Sequence, residues 1–439
     1  MKFRLFFNAG IGTASTQFLS LLTLPFLTRL YAPAEFAPWA LSLAFVIFIG
    51  SISTLRYDLA LLTERQIENS SALFWLIFLI SAVICISVTS AMFISLWNGW
   101  QFLETKATGL TWLVAFWLFL FTQNVVWNAW NLHHGAFLAI SVSQLLNASI
   151  MYCVQFYGAM LHGGGSLWLV IGSLSGLCAG LLVLIISGCR TNLRPKNIID
   201  AFPSFGESAW RHRRFVQYSL PYTLFGAVRD RLPILLVGFW TTSKELGLYS
   251  QAWRLSNVPA ALSGSAIRPV VLRHALNHGF TALETYIERI LYSLVILGTP
   301  FLAILVLLHE EIFSWLLGEH WSAIGPYFAA LAFPAMTFSL SNWMDRLVDT
   351  AAGKQHVNLW TELISGVSSI LGLLIVLSLG GSLFQAVVIQ SALLTLNYLF
   401  FIYLTFYIVG FKRVILIKLL LLSVLLFVCT YLLINTFTS

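Results

Sequence analysis

Long apolar runs, each about as long as a bilayer is thick and separated by short polar intervals, recur along the chain. A hydrocarbon core of roughly 30 Å needs about 20 residues of helix to cross it. Thirteen runs meet that length, at 6–28, 37–60, 71–96, 108–130, 136–160, 166–187, 215–240, 246–268, 287–308, 324–347, 357–379, 382–409 and 414–436. The runs are apolar all round, whereas a transmembrane barrel strand is a stretch of about ten residues that alternates. The pattern predicts an all-α polytopic membrane protein with 12–13 transmembrane helices in two repeated lobes. The expected division is a six-helix lobe at 1–187, a basic connector at 188–214, a second six-helix lobe at 215–409 and one further helix at 410–439.

Composition agrees with the pattern and narrows the class. Hydrophobic residues make up 59% and charged ones 9%, against about 25% charged in a soluble domain. The first run is too long for a signal-peptide core, lacks a small-residue cleavage site and contains Gln17, so it is expected to remain as a helix. Cys85, Cys153, Cys178, Cys189 and Cys429 show no metal-like spacing, and the nine histidines, including the pair His133 and His134, form no HExxH motif. No metal, no cofactor and no nucleic-acid partner are expected.

The distribution of basic residues sets an orientation, because Lys and Arg collect in cytoplasmic loops. With the N-terminus inside, eighteen of the 24 basic residues fall at cytoplasmic ends and loops, among them Arg65, Arg190, Arg194, Lys196, Arg211, Arg213, Arg214, Lys412 and Arg413. Only Arg29, Lys106 and Lys244 fall on the other side. The connector's charge sets topology, and it also suits attraction to anionic lipid headgroups.

An internal repeat crosses the connector. Leu24-Pro25, Glu35-Phe36-Ala37 and Arg56 recur as Leu232-Pro233, Glu245-Leu246-Gly247 and Arg268-Pro269, at offsets of 208 to 212. Such repeats mark transporters built from two bundles that rock about a site near the midplane.

Three basic residues lie within the runs: Arg229, Arg231 and Arg254. A charge at the bilayer centre costs about 2.5 to 3.5 kcal/mol on insertion scales, so such residues usually face a cavity or a partner. Guanidinium groups bind phosphate oxygens bidentately, which lysine cannot do. These arginines are the candidate diphosphate-binding groups, with Pro233 opening the helix near Arg229. The competing reading has Asp230 neutralise one arginine while the others snorkel. Arg56, Asp58, Arg268, Asp345, Arg346 and Asp349 are gate or interfacial ion-pair candidates. Asp230, Asp58 and Glu362 are candidates for a coupling proton or sodium ion. The sixteen Trp are expected mainly in an interfacial belt, with Trp253 beside Arg254 available to stack on sugar rings.

The stretches TRLYAPAEFAPWALSLAFVIFIGSISTLRYDLALL and LPYTLFGAVRDRLPILLVGFWTTSKELGLYSQAWRLSNVPAALSGSAIRPVVL, with LLGEHWSAIGPYFAALAFPAMTF, resemble the Wzx-type O-antigen and polysaccharide flippases. These belong to the multidrug/oligosaccharidyl-lipid/polysaccharide (MOP) exporter superfamily. The resemblance implies a MATE-like fold in a bacterial inner membrane. It also implies movement of an undecaprenyl-diphosphate-linked glycan between leaflets, and a cationic cavity that Arg229, Arg231 and Arg254 would supply. The thirteenth run departs from a plain twelve-helix plan. Membrane lipids and polysaccharide polymerase machinery are the further partners implied, and a functional monomer is expected. A cation-coupled drug exporter of the same superfamily would need acidic residues in its spans. A peptidoglycan-precursor flippase would carry the same diphosphate with another glycan. A membrane-embedded enzyme would need a large outer loop, which this chain lacks.

Overall fold

The computed structural model describes residues 2–64, 66–98, 110–190, 194–345, 347–348 and 354–438. Every regular element among them is helical, which lets each backbone N–H and C=O pair within its own segment where water is absent. Among the described residues, ten helices are long and apolar enough to span a membrane, and the chain is a multi-pass membrane protein. Packing divides it into two compact units, Met1–Gly247 and Leu248–Ser439.

The first unit contains α1 (Lys2–Leu30), α2 (Pro33–Ile52), α3 (Tyr57–Thr63), α4 (Ile67–Trp97), α5 (Thr111–His133), α6 (Phe137–His162) and α7 (Ser166–Gly188). The short helices α8 (Ile198–Ala201) and α9 (Phe205–Arg211) follow, then α10 (Leu220–Trp240). The run expected at 37–60 is shorter than its hydropathy suggests. Leu55 and Arg56 adopt left-handed φ values of 48° and 64°, so the chain turns after α2 and starts again as α3.

Lipid supplies no hydrophobic drive between helices, so close packing rests on small residues. On α7, Gly172, Gly176 and Gly180 recur every fourth residue against α6. A Cβ there would lie 2.5 Å from Gln155 Cγ, 2.4 Å from the Asn147 carbonyl oxygen and 3.0 Å from Ser143 Oγ, respectively. Polar side chains add bonds where the backbones meet: Ser143 Oγ donates to the Gly180 carbonyl at 2.8 Å, and Trp39 Nε1 donates to Ser173 Oγ at 2.9 Å. Tyr31 donates to the Gln155 carbonyl at 2.7 Å. Burial, with the nearby Glu35 charge, pushes its phenol up to about 12, so it stays a donor at neutral pH.

The helix α11 (Ser243–Ser256) leads into the second unit, which continues with α12 (Val258–Leu307), α13 (His309–Leu317), α14 (Gly325–Ser341), α15 (Gln355–Ser378), α16 (Leu383–Val409) and α17 (Val414–Thr438). The run expected at 246–268 is split between α11 and α12 at Asn257. The break expected between 268 and 287 is absent. Instead α12 runs for 50 residues, about 75 Å, more than twice the hydrocarbon thickness. The thirteenth run is an integral part of this unit: Ile415 and Leu419 of α17 share a buried cluster with Leu283, Ile287 and Leu291 of α12 and with Trp343.

The repeat survives as structure. Pro25 and Pro233 each lie inside a helix. Glu35 accepts from the Ala32 amide at 2.7 Å, and Glu245 accepts from the Thr242 amide at 3.0 Å, the same N-terminal cap 210 residues on. Trp39 of α2 bonds to α7, and its counterpart Tyr249 of α11 donates to Gln390 of α16 at 3.0 Å. The tryptophans depart from a simple belt: Trp117, Trp130, Trp321 and Trp343 are fully buried.

Candidate functional site

The charged triplet sits in mid-α10. Arg229 is 6% exposed, and its Nε and Nη2 donate to the two carboxylate oxygens of Asp230 at 2.8 and 3.3 Å. Neighbouring residues on a helix do not normally face each other. The long arginine side chain therefore curls round to reach a carboxylate that is itself 41% exposed. Pro233, buried four residues later, cannot donate to the Arg229 carbonyl. The helix nevertheless runs unbroken from Leu220 to Trp240. Arg231 is half-buried on another side of α10. Arg254, also half-buried, belongs to α11 in the second unit. Its neighbour Trp253 is buried, with its ring 6.2 Å from that of Tyr249, so it does not present the free face that sugar stacking needs.

Four of the interfacial candidates form two pairs, Arg56 with Asp58 in the first unit and Arg268 with Asp345 in the second. Arg56 lies 3.6 Å from Asp58, which also accepts from Thr54 Oγ1 at 2.7 Å. Arg268 of α12 donates to the Asn342 carbonyl at 2.5 Å and lies 3.4 Å from the Asp345 carboxylate. Asn358 Nδ2 in turn donates to the Asp345 carbonyl at 2.8 Å. Arg346 and Asp349 lie outside the described residues. Glu362 is half-buried on α15.

Two further groups lie outside the candidates named from the sequence. Glu64, just after α3, lies 3.3 Å from His212 and 3.8 Å from Arg211, pinning the end of the connector to the first unit. The partners are 148 residues apart, and no sequence signal joins them. On α5, Asn124 and Asn128 stand one turn apart, each with a buried amide atom that has no hydrogen-bond partner. Their spacing inside an apolar run was a usable signal, because an unsatisfied amide at membrane depth is costly.

Arg229 and Arg231 thus lie on α10 and Arg254 on α11, two helices that are not among the ten long and apolar enough to span a membrane. A family model described as "Polysaccharide biosynthesis protein" matches residues 26–326. No curated protein matches the chain. Among solved structures, a lipid II flippase MurJ in an inward closed conformation is 12% identical with a TM-score of 0.71, covering 98% of this chain and 98% of that one. An inward-facing multidrug resistance MATE transporter of the MOP superfamily is 13% identical with a TM-score of 0.62, over 88% of this chain and 94% of that one. An outward-facing one is 14% identical with a TM-score of 0.53, over 92% and 95%. The fold is therefore the MATE-like fold expected from the sequence, shared with these solved flippase and transporter structures. With a family model matching more than half of its length, the chain belongs to the polysaccharide biosynthesis protein family.

Proposed function

We propose that this chain is a flippase that carries an undecaprenyl-diphosphate-linked oligosaccharide, the repeat unit of an O-antigen or another surface polysaccharide, from the cytoplasmic to the periplasmic leaflet by alternating access. The observation that carries the reading is the buried Arg229, paired bidentately with a half-exposed Asp230 in the middle of α10. A diphosphate presents the same oxygen geometry as that carboxylate and carries more charge, so it can displace Asp230 from the guanidinium. The polar headgroup and glycan need a wet, cationic path, while the polyprenyl tail can stay in hydrocarbon. Arg231 and Arg254 are the further headgroup contacts.

The N-terminus and the connector are assigned to the cytoplasmic side of a bacterial inner membrane, on the bias of basic residues. Asp230, Asp58 or Glu362 would carry a coupling proton or sodium ion, polysaccharide polymerase machinery would receive the product, and the working form is a monomer. A second reading, transport of lipid II, is favoured by the TM-score of 0.71 to a lipid II flippase; it uses the same diphosphate site with a different glycan. A drug exporter fits less well, since cationic substrates call for carboxylates where this chain carries arginines.

The test is a strain lacking the protein, restored with wild type, Arg229→Ala or Arg254→Ala at matched membrane abundance. Surface glycan restored by wild type, with lipid-linked units trapped inside in the arginine variants, supports both the flippase and its site. Surface glycan that never depended on the protein refutes the reading. Loss of peptidoglycan precursor export instead selects lipid II.

A further inference from the structure

The connector is built with two apolar faces, and the first unit covers only one of them. Residues 198–211 form successive right-handed helical turns through α8, a short 3-10 turn at Phe202–Ser204 and α9. Ala201 and Ser208 are buried, and Ile198, Phe205, Ala209 and His212 are half-buried, a spacing of three and four that marks one helical face. This face is anchored by named bonds. Trp75 Nε1 of α4 donates to the Lys196 carbonyl at 2.7 Å, and the Lys196 amide donates to Ser71 Oγ at 3.2 Å. Tyr57 donates to the Ala209 carbonyl at 3.2 Å, and Glu64 pairs with His212 at 3.3 Å.

An adjoining face carries Ile199, Phe202 and Trp210 at 81%, 65% and 71% exposure. They recur at spacings of three and eight, again one helical face. Arg213 lies over the Trp210 ring at 3.7 Å, and Arg214 is exposed beside it. The acidic residues Asp200 and Glu207 stand to one side, with Glu207 bound to Arg211. In a loop surrounded by water, three large exposed apolar side chains in register would be a liability.

The depth of the segment explains them. Ser71 and Trp75 lie within the first two turns of the membrane span Asn69–Trp97, so the bonds to Lys196 hold the connector at the level where that span leaves the hydrocarbon. An amphipathic helix at this level buries its apolar face at the headgroup boundary, and basic residues on that face meet anionic lipid.

We propose that residues 198–214 lie in the plane of the membrane interface, with Ile199, Phe202 and Trp210 inserted among the acyl chain ends and Arg213 and Arg214 holding the phosphates of anionic lipid headgroups. The occupant is the bilayer itself, because the segment is bonded to the first two turns of a candidate membrane span and its uncompensated charge is positive. Each arginine near an anionic surface is worth about a fivefold gain in partition. The proposal is independent of which substrate is carried.

The test uses the full chain with its five native cysteines replaced and a spin label at Phe202→Cys or Glu207→Cys, in phosphatidylcholine vesicles with or without phosphatidylglycerol. The expected result is a label at 202 relaxed by oxygen, which concentrates in lipid, and a label at 207 relaxed by a water-soluble nickel chelate. Phosphatidylglycerol should deepen the 202 label, and Arg213→Gln with Arg214→Gln should abolish that increment. Equal nickel access at both positions overturns the proposal, because the segment then stands in water. Shielding of 202 from both reagents overturns it in favour of a protein cover. A depth unaffected by phosphatidylglycerol overturns the headgroup contact. Hydrogen exchange of connector peptides in the unaltered protein is a readout free of the cysteine changes: phosphatidylglycerol should slow it several-fold, and the arginine substitutions should remove the difference.

Discussion

The α-carbon of Gly247 rests against the backbone carbonyl of Pro33: a Cβ at Gly247 would sit 1.8 Å from that oxygen. The first turn of α2 and that of α11 are repeat-related, each capped by its own glutamate, and they meet where one of the two has no side chain. Gly247→Ala should therefore destabilise the folded protein by about 1 to 3 kcal/mol through overpacking. Gly226→Ala, where a Cβ meets nothing within 4 Å, should stabilise α10 by about 0.5 to 1 kcal/mol. Thermal unfolding in detergent distinguishes the two, and equal midpoints would refute the close approach.

The glycine strip on α7 makes a related prediction with a larger effect. Gly176→Leu drives a branched side chain into the Asn147 carbonyl, where even a Cβ would come within 2.4 Å. Separation of α6 from α7 should abolish stable expression, whereas the lipid-exposed Leu182→Ala should leave it intact. Membrane abundance after extraction reads both.

Tyr249 and Gln390 are joined by a fully buried bond, and Gln390 continues to Ser369 Oγ at 3.2 Å. Tyr249→Phe and Gln390→Leu should each cost about 0.6 to 1.7 kcal/mol, the range for polar contacts between membrane helices. The double variant should cost less than the sum, because each single change already removes the shared bond. Additive losses would show that the two residues act separately.

Glu64→Gln removes the charge that pairs with His212 and Arg211. Loss of a hydrogen bond to a charged group is worth about 1.5 to 3 kcal/mol, so local opening of the connector should rise by roughly tenfold or more. Trypsin cleavage at Arg213 or Arg214 measures it, with Tyr57→Phe expected to give a smaller rise.

Asp230→Asn should remove the carboxylate that an incoming anion has to displace from the Arg229 guanidinium. Since the carboxylate is 41% exposed, the pair is worth no more than about 1 kcal/mol, and affinity for undecaprenyl diphosphate should rise by about two- to fivefold. Arg229→Ala should weaken it. If Asp230→Asn weakens binding as Arg229→Ala does, Asp230 supports the site rather than masking it.

Length and polarity of the runs were enough to determine from the sequence that the chain crosses a membrane as helices, because a bilayer imposes one length and one backbone solution on any segment that spans it. The repeat was equally legible, since Glu35 and Glu245 cap their helices through neighbours three residues away. The helix ends were less so. Hydropathy carried the second run to residue 60, but left-handed Leu55 and Arg56 end it sooner, and no apolar count registers a backbone turn. Side-chain partners across the chain belonged to tertiary structure alone. The sequence placed Arg229, Asp230 and Arg231 together; only the fold decided that Asp230 takes Arg229, that Trp253 is buried, and that Glu64 meets His212. Those outcomes depend on which side chains come within a few ångströms, and short-range contact between residues far apart in sequence leaves no periodic trace in it.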